Sequence, residues 1–330
     1  MAVGRCDHGD AGIRGIPEVT FCPTAAPWSV RLWRGRRRRC CGQLAEVPDL
    51  EGLATQIAEL RPLPACAIRI LEVCEGERFF AHDLASVIAS DQAVTAKLRR
   101  LANSAYYGFP RRITTVRDAV VLLGFREVRA ATVVSCMMDS VPGSTNIDYN
   151  QFWQFSLSVG MLGEPLARTE SEHRDHAFTA GVLHNIGRLA LDQHVPGALS
   201  QAIDAARRHG AKIEEAERRL LGYSDVELGA AIAEPWNFPP ELVEAIVNHT
   251  TPLHELRNPG SLTALVVRAR AFAQFYGVAE GINTSAFADP PPMVAVEWGT
   301  PPLSTALEEA GGMQQLMECV DICLESATAS

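Results

Sequence analysis

Apolar residues recur along this chain at intervals of three and four, and almost nowhere in strict alternation. That period gives a helix one buried face and leaves the others to solvent. The first instance is LEGLATQIAELRPLP, where Leu53, Ile57 and Leu60 form a stripe that Pro62 and Pro64 bring to a stop. Ala65 to Cys74 carries Ile68, Leu71 and Val73, and a third helix opens after Ala81 with Leu84, Val87 and Ile88 inward. Ser90 reads as the N-cap of a fourth, with Asp91 adding negative charge at the helix start. Its buried stripe is Val94, Leu98 and Leu101, and Asn103 to Gly108 closes it. Thr114 or Thr115 caps TTVRDAVVLLGF, Gly124 ends it, and Arg126 to Asp139 is a further apolar helix.

Turn formers over Val141 to Asp148 separate two halves. Beyond them Phe152, Phe155, Val159, Leu162 and Leu166 fall on helical spacing, so Phe155 is expected in the core. Ala177 to Leu191, AFTAGVLHNIGRLAL, is apolar almost all round and reads as one helix at the centre of a bundle. Helices follow around 196–209 and 212–221, in YSDVELGAAIAEPWNFP, in PELVEAIVNHTTP, and over Leu262 to Tyr276. Residues 277–302 form a proline-rich connector, and Leu303 to Glu325 is a terminal helix able to pack back on the body. The expected class is all-α: a multi-helix bundle in two helical sub-bundles, 49–140 and 149–276. A basic extension, 1–48, precedes it, and a connector with a C-terminal helix, 277–330, follows.

Composition changes this picture little. The chain has 47% apolar and 21% charged residues and a net charge of -9. Residues 1–48 carry eight arginines against four acids and lack any sustained period, so disorder is expected there. The acidic remainder argues against a main task of gripping nucleic-acid phosphates. Two short helices joined at Ser90-Asp91 invite a helix-turn-helix reading, but Lys97, Arg99 and Arg100 sit beside apolar stripe positions, and bundle packing accounts for them better. Nine scattered cysteines without a CxxC pair fit buried thiols in a reducing, cytoplasmic setting rather than zinc. No apolar run is long enough to span a membrane, and the segment after RGRRRRCC is too polar for an export signal.

The chemistry concentrates at His184-Asn185, a polar pair set in the middle of the apolar run. Buried there, it needs a ligand or hydrogen-bond partners. A His-Asp pair would point to a metal-dependent phosphohydrolase; the amide of Asn185 is neutral. The simplest reading of His184 is a core histidine bonded to a neighbouring helix, with Asn185 as a polar bridge and Asp225 as a candidate partner. The alternative is a remnant pocket with His184, Asn185 and His249 on its wall. Trp153 and Trp236 read as core anchors, and neither GxSxG nor a Walker A loop occurs.

Taken in order, LPACAIRIL, DQAVTAKLRRLANSAYYG, AVVLLGF, FW..S, AFTAGVLHNIGRL, DVELGA..A..W.FP and AIVNH resemble the HDOD (HD-related output) domain over about Leu60 to Tyr276. The resemblance implies an all-helical bacterial signalling module, 49–276 here, related to HD phosphohydrolases but generally without their metal site. At the positions where such hydrolases hold metal ligands, this chain offers Phe155, Asn185, Asp225 and Arg270, leaving His184 and His249. Two histidines cannot hold a hydrolytic metal without carboxylates, and an arginine would repel it. The expectation is a non-catalytic regulatory module that docks to signalling proteins, with no cofactor and no catalytic or metal residues. The alternatives are a residual metal-dependent phosphohydrolase, directed at cyclic dinucleotides, and a nucleic-acid-binding regulator. Partner identity and oligomeric state are not encoded in any motif.

Overall fold

The computed structural model describes residues 48–60, 81–104, 107–124, 147–170, 174–236, 238–258, 260–282 and 311–328, with a few further positions between 128 and 135 and between 305 and 308. The expected helix over Ala65 to Cys74, the extension and most of Arg126 to Asp139 lie outside them. Among the described residues there are thirteen α-helices and no strand. They are α1 (Leu50–Leu60), α2 (Ala81–Ala89), α3 (Gln92–Ala102), α4 (Val116–Leu123), α5 (Tyr149–Glu170), α6 (Arg174–Leu183) and α7 (Ile186–His194). The remainder are α8 (Ala198–His209), α9 (Ile213–Leu221), α10 (Asp225–Ala233), α11 (Pro240–Asn248), α12 (Leu262–Phe275) and α13 (Gly312–Thr328).

The helix ends follow local chemistry. Thr115 caps α4 by accepting from the Asp118 amide, and Gly124, at φ 94°, ends it. On α3 the cap is Asp91, one residue later than expected. Its carboxylate accepts from the amides of Ala93 (2.9 Å) and Val94 (3.1 Å), while the Ser90 hydroxyl donates back to the Val87 carbonyl. A carboxylate satisfies two orphan amides at once and complements the positive helix end, which a hydroxyl does less well. Ser224 and Glu227 close a reciprocal capping box on α10.

The frame of the second half is a set of close backbone contacts. α5 packs chiefly on α6 and α12, and α7 on α10. A Cβ on Gly181 of α6 would lie 2.4 Å from the Gly160 Cα of α5. A Cβ on Gly187 of α7 would lie 1.9 Å from the Asp225 carbonyl oxygen. Only glycine permits such approach. α1 buries Leu53, Ala54 and Ile57 against Leu191, Leu228 and Ile232, and α13 packs back across α3 and α5. α13 is tied to α5 by Gln154 donating to Asp321 at 2.7 Å. Among the described residues no helix is long and apolar enough to cross a membrane.

One expectation about the centre is corrected. Ala177 to Leu191 is two helices: α6 ends at Leu183, His184 and Asn185 form a turn, and α7 restarts at Ile186. Asn185 takes φ -99°, ψ 16°, outside the helical region. Both segments are buried on all sides, so the apolar pattern runs straight through the break. Just past the break, Gly187 seats tightly on α10.

Candidate functional site

The break delivers His184 to the point where α5, α11 and α12 meet. Phe155 of α5, fully buried, presents its ring to His184 with centroids 5.9 Å apart. His249, at the C-cap of α11, meets His184 edge to face at 5.0 Å. Arg270 of α12 donates to the His249 carbonyl at 2.9 Å, and its guanidinium lies 5.9 Å from the centre of the Phe155 ring.

Both histidines are locked in the same tautomer. Nδ1 of His184 lies 2.6 Å from the Gly181 carbonyl, and Nδ1 of His249 lies 2.7 Å from that of Ile246. A carbonyl only accepts, so each Nδ1 must carry the proton and each Nε2 presents a bare lone pair. Burial, then the Arg270 charge, pushes His184 down to about 3. The same two causes, in the same order, push His249 well below the ordinary imidazole value. Two neutral rings are the result. Neither Nε2, nor either amide atom of Asn185, has a hydrogen-bond partner among the described residues. Among the described residues, the bridge between helices expected of Asn185 is not made.

Asp225 is not the partner of His184 either. At the start of α10 it accepts from Arg188 Nε at 2.7 Å and from the Val226 amide at 2.8 Å. Arg188 sits one turn beyond the His-Asn break, and a guanidinium is a stronger partner for a buried carboxylate than a neutral imidazole. Glu217 of α9 accepts from the Asp225 amide, and burial followed by the nearby Asp225 charge raises its pKa well above the usual carboxylate range. Glu214 adds a looser ion pair to Arg188 at 3.7 Å.

Among the residues that sequence reasoning missed is Glu280. It lies just past α12, in the segment taken as connector, yet its side chain is only 9% exposed. Its carboxylate accepts from Arg270 Nη2 at 2.8 Å, from Arg188 Nη1 at 3.4 Å and from Gln274. Burial alone would raise its pKa; Arg270 and Arg188 outweigh that and hold it below the ordinary value. Arg188, also missed, had a legible signal: a charge on a helix apolar all round requires partners. Glu280, isolated among glycines and small residues, had none. Arg270, aligned as a metal-position substitution, does stand beside both histidines.

This donor set does not fit a hydrolytic metal ion. Asn185 offers an amide where a bridging carboxylate is needed, and both Asp225 and Glu280 are engaged by arginines. Arg270 places a permanent cation beside the two imidazoles, whose pKa values register its repulsion. A divalent ion needs several oxygen or imidazole lone pairs converging without a competing charge.

Comparison with other proteins agrees with the helical architecture. An uncharacterized protein of Treponema pallidum (strain Nichols) is 24% identical over 199 residues, which are 60% of this chain and 39% of that protein's length. The crystal structure of an HDOD domain protein of unknown function from Geobacter sulfurreducens matches with a TM-score of 0.64 at 20% identity, covering 82% of this chain and 97% of that one. A provisionally named phosphohydrolase from Shewanella amazonensis SB2B matches at 0.60 and 28% identity, with the same coverage of each chain. A provisionally named signal transduction protein from Marinobacter aquaeolei VT8 matches at 0.66 and 23% identity, covering 83% of this chain and 61% of that one. The sequence profile of the HDOD domain fits residues 60–252, more than half of the chain, which therefore belongs to the HDOD family.

Proposed function

We propose that the protein is a non-catalytic regulatory module of bacterial signal transduction that acts by docking to partner proteins. The observation that carries this reading is Arg270. A fixed cation, stacked toward Phe155 and bonded to the His249 backbone, stands beside the two imidazoles that a metal would need. The scaffold is kept while the chemistry that would use it is replaced. The partners are signalling proteins, with neither a membrane nor nucleic acid as the main target, and the setting is the cytoplasm.

The second reading is metal-dependent phosphoester hydrolysis, and the Shewanella relative, named a phosphohydrolase, favours hydrolysis in it. Elemental analysis of the purified protein, with turnover assays on cyclic dinucleotides in added Mn or Fe, separates the two. Sub-stoichiometric metal and no turnover are expected. Stoichiometric Fe, Mn or Zn with hydrolysis would overturn the docking reading. Crosslinking of a purified partner should then map to one face of the bundle. A strongly salt-dependent DNA shift that disappears on deleting residues 1–45 would instead support nucleic-acid binding.

A further inference from the structure

Residues 277–282 run from the end of α12 back over the bundle as a short strap. Gly277 and Gly281 adopt φ of 81° and 76°, so the chain bends at both ends. The Gly281 carbonyl accepts from the Asp148 amide at 2.8 Å, and a Cβ on Gly281 would lie 2.6 Å from the Phe152 nitrogen. Val278 and Ile282 are buried. Between these anchors Glu280 is the point where two arginines from different helices converge.

We propose that Arg188 and Arg270 form a binding site for a phosphate group, free or as a small monoester, and that Glu280 is its built-in, displaceable occupant. Arg188 Nη1 and Arg270 Nη2, the two donors that Glu280 now holds, and the unpaired Arg270 Nε suit the several oxygens of a phosphate better than the two of one carboxylate. Around them lie more polar groups than Glu280 uses. Arg270 Nε and Nε2 of His184 and His249 have no partner among the described residues, and both histidines are at least 98% buried. A phosphate supplies acceptor oxygens for the arginines, and in its monoanionic form a P–OH proton for an imidazole lone pair. Unpaired buried groups of this kind are costly, so an anion that satisfies them competes with Glu280. Its displacement frees the middle of the strap, between the anchors at Val278 and Gly281. This inference does not rest on the docking reading.

The test is calorimetric titration at constant ionic strength with inorganic phosphate and, separately, AMP. Glu280→Ala should bind one equivalent of at least one of them at least tenfold more tightly than the wild type. Adding Arg270→Gln to Glu280→Ala should weaken that binding at least tenfold. In the wild type, saturating ligand should speed hydrogen exchange across residues 277–282. Binding of phosphate but not AMP assigns the site to free phosphate, and the reverse assigns it to a monoester. Equal affinity in wild type and Glu280→Ala, no effect of Arg270→Gln, or binding of acetate alone would overturn the proposal. If Glu280→Ala does not fold, Glu280→Gln removes the charge with little change of shape and is read by the same criteria.

Discussion

Helices α2 to α4 are amphipathic while α7, α10 and α12 are apolar nearly all round, and the two groups keep their charge in opposite places. The first group buries Leu84, Ile88, Leu98 and Val120 and leaves Arg99, Arg100 and Arg117 in solvent. The second buries Arg188, Asp225 and Arg268 as deeply as its leucines. Desolvating a charge costs several kcal/mol, and partners return that only when the geometry is good. The first region is thus a core that many apolar sequences could fill. The second holds a network in which Arg188, Asp225, Arg270 and Glu280 depend on one another, and concentrations of perturbed pKa values mark functional ground.

The sharpest way to break this contrast is Arg188→Met. It leaves Asp225 and Glu280 without a shared cation, and denaturant unfolding should show a loss of about 3–5 kcal/mol. Adding Asp225→Asn should recover part of that loss, as interacting sites do and independent ones do not. In the apolar region, Leu98→Ala should cost about 3 kcal/mol through its cavity, and its effect should add simply to that of Arg188→Met. A coupling between these two would erase the distinction.

Acid provides a finer probe. His184 has a folded pKa of about 3 against roughly 6.5 when unfolded. Below that upper value the unfolded chain binds a proton the folded chain refuses. Stability should therefore fall by about 1.4 kcal/mol per pH unit for this group as pH drops from the unfolded value toward the folded one. His249, also depressed, acts in the same direction. Glu217, raised, acts oppositely, losing its contribution as pH rises. Imidazole NMR resolves them: His184 and His249 should stay neutral from pH 8 to pH 5, and titration of either ring in that range would refute the buried-neutral pair. The smallest effect is at the rim of the network, where Ser224→Ala removes one half of the α10 capping box. A thermal melt should register about 1 kcal/mol.

Much of the fold was legible because helix ends carry local chemistry. Thr115, Gly124 and the stripe Val94, Leu98, Leu101 predict their elements directly. The Ser90-for-Asp91 cap differs by one residue, since two adjacent cap formers compete and only geometry decides. The split at His184-Asn185 was hidden because total burial removes the polar face by which a boundary is read. At the site, Phe155, His249 and Arg270 were placed by resemblance to the family. Asp225 was placed too, but with the wrong partner, because pairing depends on where Arg188 points. Glu280 was out of reach, since a single acid after a helix has no period and its arginines lie 10 and 92 residues away.

The glycine contacts described for the fold have a consequence for how such a site changes over time. Gly160 against Gly181 and Gly187 against Asp225 and Gly229 fix helix spacing through main chain alone, with no side chain of the centre involved. The lodging and its tenants are thereby uncoupled. Side chains at the centre can change while the helix spacing is held, so Arg188→Met is expected to lose stability without moving the walls.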